Sequence, residues 1–173
     1  MENILTVYFS RKGENYFGGS IKSISKGNTE IVAEIIQKSI GGDLFEIERF
    51  TPYSDNYNEC VDEAREELKQ DARPELKSYM DSLDKYDTIF VGYPNWCGTM
   101  PMPVFTFLGH YDLSSKKIIP FCTNEGSGMG RSEDDLKKIC KGATVENGLP
   151  INGSKINQLE EEISSWAKEK VNC

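Results

Sequence analysis

Histidine is almost missing: His110 is the only one in 173 residues, which removes any multi-histidine metal cluster and leaves a zinc site almost without support. No metal site is expected. Cysteine is sparse and unpatterned. Cys60, Cys97, Cys122, Cys140 and Cys173 are odd in number, far apart and include no CxxC pair, so reduced thiols are expected rather than a disulfide framework. No apolar run approaches the roughly 18 residues of a membrane span. The N-terminus lacks the basic segment, apolar stretch and small-residue cleavage site of an export signal, so a cytoplasmic location is expected. Basic charge is also in deficit: 20 Lys and Arg stand against 28 Asp and Glu, for a net charge of -8. That balance argues against nucleic acid or an anionic membrane as partner. Neither GxxxxGKS/T nor GxGxxG occurs, so neither a P-loop nucleotidase nor a dinucleotide-binding Rossmann domain is favoured.

What is present suits one globular unit over 1–173: 38% hydrophobic and 28% charged residues, with no compositional shift that marks a linker. Ile4 to Phe9 is a strand. Ile31, Val32, Ile35, Ile36 and Ile40 recur at helical spacing from about Asn28, with Gly41 and Gly42 as the stop. Leu44 to Arg49 alternates as a half-exposed edge strand does. Val61, Ala64 and Leu68 mark a second helix that ends before Pro74, and Leu76, Tyr79, Met80 and Leu83 suggest one more short helical piece. The stretch "DTIFVGYP" is a fully buried strand, and a helix with Val104, Phe107, Leu108 and Tyr111 follows Pro103. "KKIIPFCT" is the next strand, in which Pro120 demands a bulge or an unpaired position. Ser132 with Asp135 resembles a capping pair before Leu136, Ile139 and Cys140; Ala143 to Val145 is a short strand. Asn157 with Glu160 opens a last helix, where Trp166 belongs to the core.

Strand and helix therefore alternate, the pattern of a parallel sheet covered on both faces with right-handed crossovers. Ligands of such sheets bind beyond the carboxyl ends of the strands, near the switch in strand order. That draws attention to residues 10–29, 94–101 and 123–131. Ser10, Asn28 and Thr29 flank a long insertion and put hydroxyls, an amide and free N–H groups around a helix N-terminus, an anion site if its ends meet. Arg11, Lys12, Lys22 and Lys26 concentrate positive charge there. "PNWCGTMP" places Trp96 in a polar turn where no periodicity asks for a large ring. "TNEGSGMGRS" carries Gly126, Gly128 and Gly130, which let the backbone approach a flat heterocycle.

Taken together, "VYFSRKGEN", "GNTEIVAEII", "DTIFVGYPNWCGTMP" and "IIPFCTNEGSGMG" resemble the flavodoxin family, especially its small bacterial members with a "YPxWxGTMP" loop. The likeness runs over nearly the whole chain. It implies a flavodoxin-like doubly wound α/β fold, a five-stranded parallel sheet in the order 2-1-3-4-5 with helices on both faces, and FMN as cofactor. Carried over by motif, Ser10, Arg11, Gly27, Asn28 and Thr29 match the phosphate loop. Pro94, Asn95, Trp96, Cys97 and Gly98 match the loop on one face of the isoalloxazine ring, with Trp96 stacking. Thr123, Asn124, Glu125, Gly126 and Gly128 match the loop along its other edge. Two departures stand out: the insertion in the phosphate loop, and a third loop without the tyrosine that many flavodoxins stack on the outer face.

The insertion is expected to be extruded from the cradle, with Ser10 and Asn28 still adjacent and Tyr16, Phe17, Gly18 and Gly19 in a flap over the ligand's edge or toward a partner. A carbonyl at Cys97 or Gly98 is expected to serve the reduced ring. The resemblance implies a low-potential electron carrier between redox partner proteins, a reductase and an acceptor, without catalytic residues of its own. The competing expectation is a flavin enzyme that reduces quinones or similar acceptors with NAD(P)H. A monomer or weak dimer is expected.

Overall fold

The computed structural model describes residues 3–172. Its first strand, β1 (Ile4–Tyr8), is buried along its whole length, so alternate residues feed two cores: Leu5, Val7 and Phe9 on one side, Ile4 and Tyr8 on the other. The hairpin β2 (Gly13–Phe17) and β3 (Ser20–Ile24) follows as a separate antiparallel pair. Then come α1 (Asn28–Ile40), β4 (Asp43–Glu46), α2 (Tyr57–Lys69), β5 (Thr88–Pro94), α3 (Met102–Gly109), β6 (Lys117–Asn124), α4 (Ser132–Ile139), β7 (Thr144–Val145), β8 (Leu149–Asn152) and α5 (Ile156–Val171). Strands β4, β1, β5 and β6 lie side by side and parallel, and the last position is shared by β7 and β8, both parallel to β6. With that edge counted as one split strand and the hairpin set aside, the order is 2-1-3-4-5.

Both faces are covered. Val32, Ala33 and Ile36 of α1 and Ile156, Ile163 and Ala167 of α5 bury against Ile4, Tyr8, Phe90, Ile119 and Phe121. Opposite them, Val104, Phe107 and Leu108 of α3 and Leu136 of α4 close over Leu5, Val7, Ile89, Val91 and Ile118. Each large aliphatic side chain so buried contributes about 1.5–3 kcal/mol. Trp166 lies half-buried at this first face, edge-on to Phe90 at 5.7 Å between ring centroids.

Pro120 takes the unpaired position and causes no bulge. The β5–β6 register runs without a slip from Thr88↔Lys117 to Pro94↔Thr123. The Ile118 carbonyl accepts the Glu146 N–H from the β7 side. Residues two apart on a strand point the same way, so the proline nitrogen faces the gap between β7 and β8.

Three local expectations are corrected. Residues Leu76 to Leu83 form no helix. Leu76 pairs instead with Arg49, with Phe50 N–H bound to the Glu75 carbonyl and Lys77 N–H to the Glu48 carbonyl, bonds that a helix would forfeit; Leu76 and Leu83 are buried singly. Ser132 does not cap α4: its hydroxyl donates to the Met129 carbonyl and accepts from Tyr93, while Asp135 accepts from Thr99. At α5, Asn157 is no cap either. A 3₁₀ turn over Gly153–Lys155 leads into the helix, and Asn152 accepts the Ser154 N–H there.

Candidate functional site

The three loops singled out in the sequence meet at one end of the sheet, beyond the carboxyl ends of β1, β5 and β6. The first is closed by atoms at its two ends. Ser10 Oγ accepts the Glu30 N–H at 3.1 Å, so a residue two past the end of β1 caps the first turn of α1 across the whole insertion. Gly27 makes this possible, because a Cβ there would lie 2.0 Å from Ser10 Oγ and 2.7 Å from the Arg11 carbonyl oxygen. The Ile31 N–H goes to the Gly27 carbonyl. Among the described residues the N–H groups of Asn28 and Thr29 find no acceptor, and they are the donors a helix N-terminus offers an anion. The Thr29 side chain is not a free donor of this set. It is buried and hydrogen-bonded to the Thr123 hydroxyl at 2.7 Å, tying the first loop to the third.

The second loop turns back on itself. Trp96 and Thr99 exchange both backbone hydrogen bonds, at 2.9 and 3.1 Å, around Cys97 and Gly98, whose φ values are 56° and 85°. Positive φ at both central positions is the tight-turn geometry for which a glycine is suited and a cysteine is not. Asn95 holds the turn from inside: its Oδ1 accepts the Gly98 N–H at 3.0 Å and its Nδ2 donates to the Gly128 carbonyl at 2.9 Å. The Gly98 carbonyl accepts the Arg131 N–H at 2.8 Å and the Cys97 carbonyl is 3.5 Å from Arg131 Nη1.

Trp96 sits half-buried in an aromatic corner, edge-on to Phe9 and to Tyr53, with both ring centroids 5.1 Å away. Arg49 covers the Tyr53 ring at 3.4 Å. Burial and then the Glu67 carboxylate, which accepts the Tyr53 hydroxyl, hold that phenol protonated.

An open cleft of about 210 Å³ lies among these loops. Arg11, Asn28, Thr29, Pro94, Asn95, Trp96, Thr123, Asn124 and Glu125 line it, all of them singled out in the sequence. Ser10, Gly27, Gly126 and Gly128 shape it from behind, and Gly126 is held by its N–H to Asn124 Oδ1 at 2.9 Å. Cys97 is exposed and turned to a neighbouring cavity. Asn15, Tyr16, Tyr57 and Ser127 also line the cleft. Of these, Ser127 lies inside the third loop singled out in the sequence, while Asn15 and Tyr57 were not named as site residues; the Asn56 cap that starts α2 at Tyr57 was the one available signal. Burial, then Cys60, raises the Tyr57 hydroxyl above its ordinary value.

The hairpin is fastened to this edge. Arg11 Nε donates to the Glu14 carbonyl at 2.8 Å and Nη2 to the Asp55 carbonyl at 3.2 Å, and Glu14 Oε1 accepts the Tyr57 N–H at 2.7 Å. Asn15 and Tyr16 are thereby held over the cleft, where the third loop supplies no tyrosine. Glu125 stands opposite: Ser154 donates to its Oε2 at 3.1 Å, while its buried Oε1 has no partner among the described residues.

A family model described as Flavodoxin matches residues 16–170. The chain belongs to the flavodoxin family. This flavodoxin resembles a provisionally designated flavoprotein from Bacteroides eggerthii, with 27% identity over 97% of both chains and a TM-score of 0.75. Its likeness to a second such protein, from Bacteroides uniformis, is of the same order: 26% identity over 96% of this chain and 98% of the other, TM-score 0.76. A flavoprotein from Lactobacillus acidophilus, solved in complex with FMN, shares its fold at 20% identity and a TM-score of 0.64, over 91% of this chain and 98% of the other. No curated protein matches it. Among the described residues no group of His, Cys, Asp and Glu is placed to hold a metal, and no helix is long and apolar enough to cross a membrane.

Proposed function

We propose that this flavodoxin binds FMN and carries electrons between a reductase and an acceptor. The observation that carries the reading is one cleft with an anion cradle at one end and an indole at the other: the N–H groups of Asn28 and Thr29 behind the Ser10–Gly27 contact, and Trp96 in its aromatic corner. These residues fit FMN. Behind the helix N-terminus there is no room even for a Cβ at Gly27, its free N–H groups suit a phosphate, and a flat ring finds Trp96 beside it. The cofactor complex of the Lactobacillus acidophilus relative supports the same choice.

When bound, FMN supplies the redox chemistry, taking and giving electrons one or two at a time. The chain's residues do the rest. Asn28, Thr29 and Arg11 hold the anionic end, and Trp96 orients the ring and keeps water from one face. Asn15, Tyr16 and Tyr57 cover an edge. Glu125 and the surrounding acidic surface disfavour added negative charge on the ring, which lowers the potential of the second electron.

A redox titration of the FMN-loaded protein tests the role. Two well-separated one-electron potentials are expected, with negligible reduction by NAD(P)H alone. A single two-electron step with rapid NAD(P)H oxidation would replace the carrier with an enzyme that reduces quinones or similar acceptors.

A further inference from the structure

Beside the cleft, on the far side of Asn95 and Trp96, lies a second cavity of about 280 Å³. Its floor is one face of α2. Tyr57, Cys60, Val61, Ala64 and Arg65 follow one another at helical spacing, with Cys60 and Ala64 buried. The base of the hairpin, through Arg11 and Asn15, forms one wall, and the tight turn at Trp96 and Cys97 forms the other.

The charge of this cavity is unlike that of the chain. In a protein of net charge -8, its lining holds two arginines and no carboxylate. Neither guanidinium is neutralised. Arg11 is held by the carbonyl oxygens of Glu14 and Asp55, dipoles that orient it without cancelling its charge. Arg65 is exposed and forms no ion pair among the described residues. Glu14, the acidic group nearest in sequence to Arg11, accepts the Tyr57 N–H, and Glu66, next to Arg65 on α2, accepts from Gln70 Nε2 at 2.6 Å. An apolar floor, an indole and a tyrosine at the sides and the guanidinium of Arg65, which forms no ion pair among the described residues, select a flat apolar body with an anionic group.

We propose that this cavity is a binding site for a small aromatic acid, its ring between Trp96 and the α2 face and its carboxylate or sulfonate toward Arg65. Arg11, Asn15, Tyr57, Asn95 and Trp96 line both spaces, so the acid lies next to whatever fills the cleft. That it lies next to a flavin rests on the function proposed above; that it binds does not.

The test uses 2-naphthoate and its neutral isostere 2-naphthamide, titrated calorimetrically into the FMN-loaded protein and into the same protein stripped of flavin. Naphthoate binds in both states and more tightly than naphthamide. Arg65→Gln, at an exposed position that keeps the fold, weakens naphthoate about tenfold, as the loss of one charge-assisted contact requires, and leaves naphthamide unchanged. The inference is overturned if neither compound binds, if Arg65→Gln leaves naphthoate affinity unaltered, or if FMN displaces naphthoate, which would put it in the cleft instead. Should the protein fail to take up FMN, the flavin reading falls while the naphthoate titrations still decide this one.

Discussion

Single atoms close the cradle, and single substitutions test it. A Cβ at Gly27 collides with Ser10 Oγ and, less avoidably, with the Arg11 carbonyl. Gly27→Ala is expected to cost about 1–3 kcal/mol of stability as the backbone shifts and to weaken FMN binding about tenfold or more; a thermal melt and a flavin fluorescence titration measure the two. The Thr29–Thr123 hydroxyl pair behaves differently. Removing either partner leaves the other buried and unpaired at about 1–3 kcal/mol, so Thr29→Val and Thr123→Val each destabilise, and the double variant loses clearly less than the sum of the two. Additive losses in denaturant melts would show that the pair is not an isolated bond. The two tryptophans make a further contrast. Trp96→Ala is expected to lose stacking worth about 0.5–1.5 kcal/mol in FMN affinity and to raise the second-electron potential by admitting water. Trp166→Ala, which only uncovers Phe90, lowers the melting temperature and leaves potential unchanged.

At the level of elements, the hairpin is the part that the fold does not need and the site uses. Its strands pair only with each other, and its tip carries an exposed cross-strand pair, Tyr16 and Ile21, both 47% accessible. Replacing residues 13–25 with a short Gly-Ser turn is therefore expected to leave the cooperative melt nearly in place while FMN affinity falls, since Asn15 and Tyr16 go and Arg11 loses its Glu14 anchor. A protein that no longer folds would contradict this division of labour. The elements themselves were largely legible because their apolar periodicities are strong: α1, β5 and the Pro103 helix start lie where the residues said. Periodicity misled at Leu76 to Leu83, where backbone hydrogen bonds to 48–50 override the spacing. It was silent on β8 (Leu149–Asn152), whose four residues include Pro150 and carry no alternation that survives being an edge. In the site, residues on the loops with unusual glycine, tryptophan or hydroxyl content could be picked out locally. Tyr57 and Asn15 could not, because they reach the cleft through the Glu14 contact to α2, a tertiary fact with no local signature.

At the scale of the whole molecule, reactivity and pH response follow from burial. Cys60, Cys122 and Cys140 are buried and Cys97 is exposed, so iodoacetamide at pH 8 is expected to label Cys97 well before those three, as read by peptide mass mapping. Burial pushes Cys60 up to about 11 and Cys122 and Cys140 up to about 12 from an ordinary 9.0. Each fold-buried thiol thus stays neutral where the unfolded chain would ionise. Their stabilisation is complete below pH 9 and is lost as pH climbs through the folded values. Tyr86, raised from 10.0 to about 12 by burial and then by Asp43, adds to the same trend, and chemical denaturation at intervals from pH 8 to 12 should show a progressive fall. The central claim, that this cleft is built around a ring and one terminal phosphate, is met most directly by titrating the flavin-free protein with FMN and with riboflavin. FMN should bind one to one, quench Trp96 fluorescence and exceed riboflavin in affinity by about tenfold or more, the worth of a phosphate at a helix N-terminus with an arginine beside it; equal affinities, or no binding of either, would contradict it.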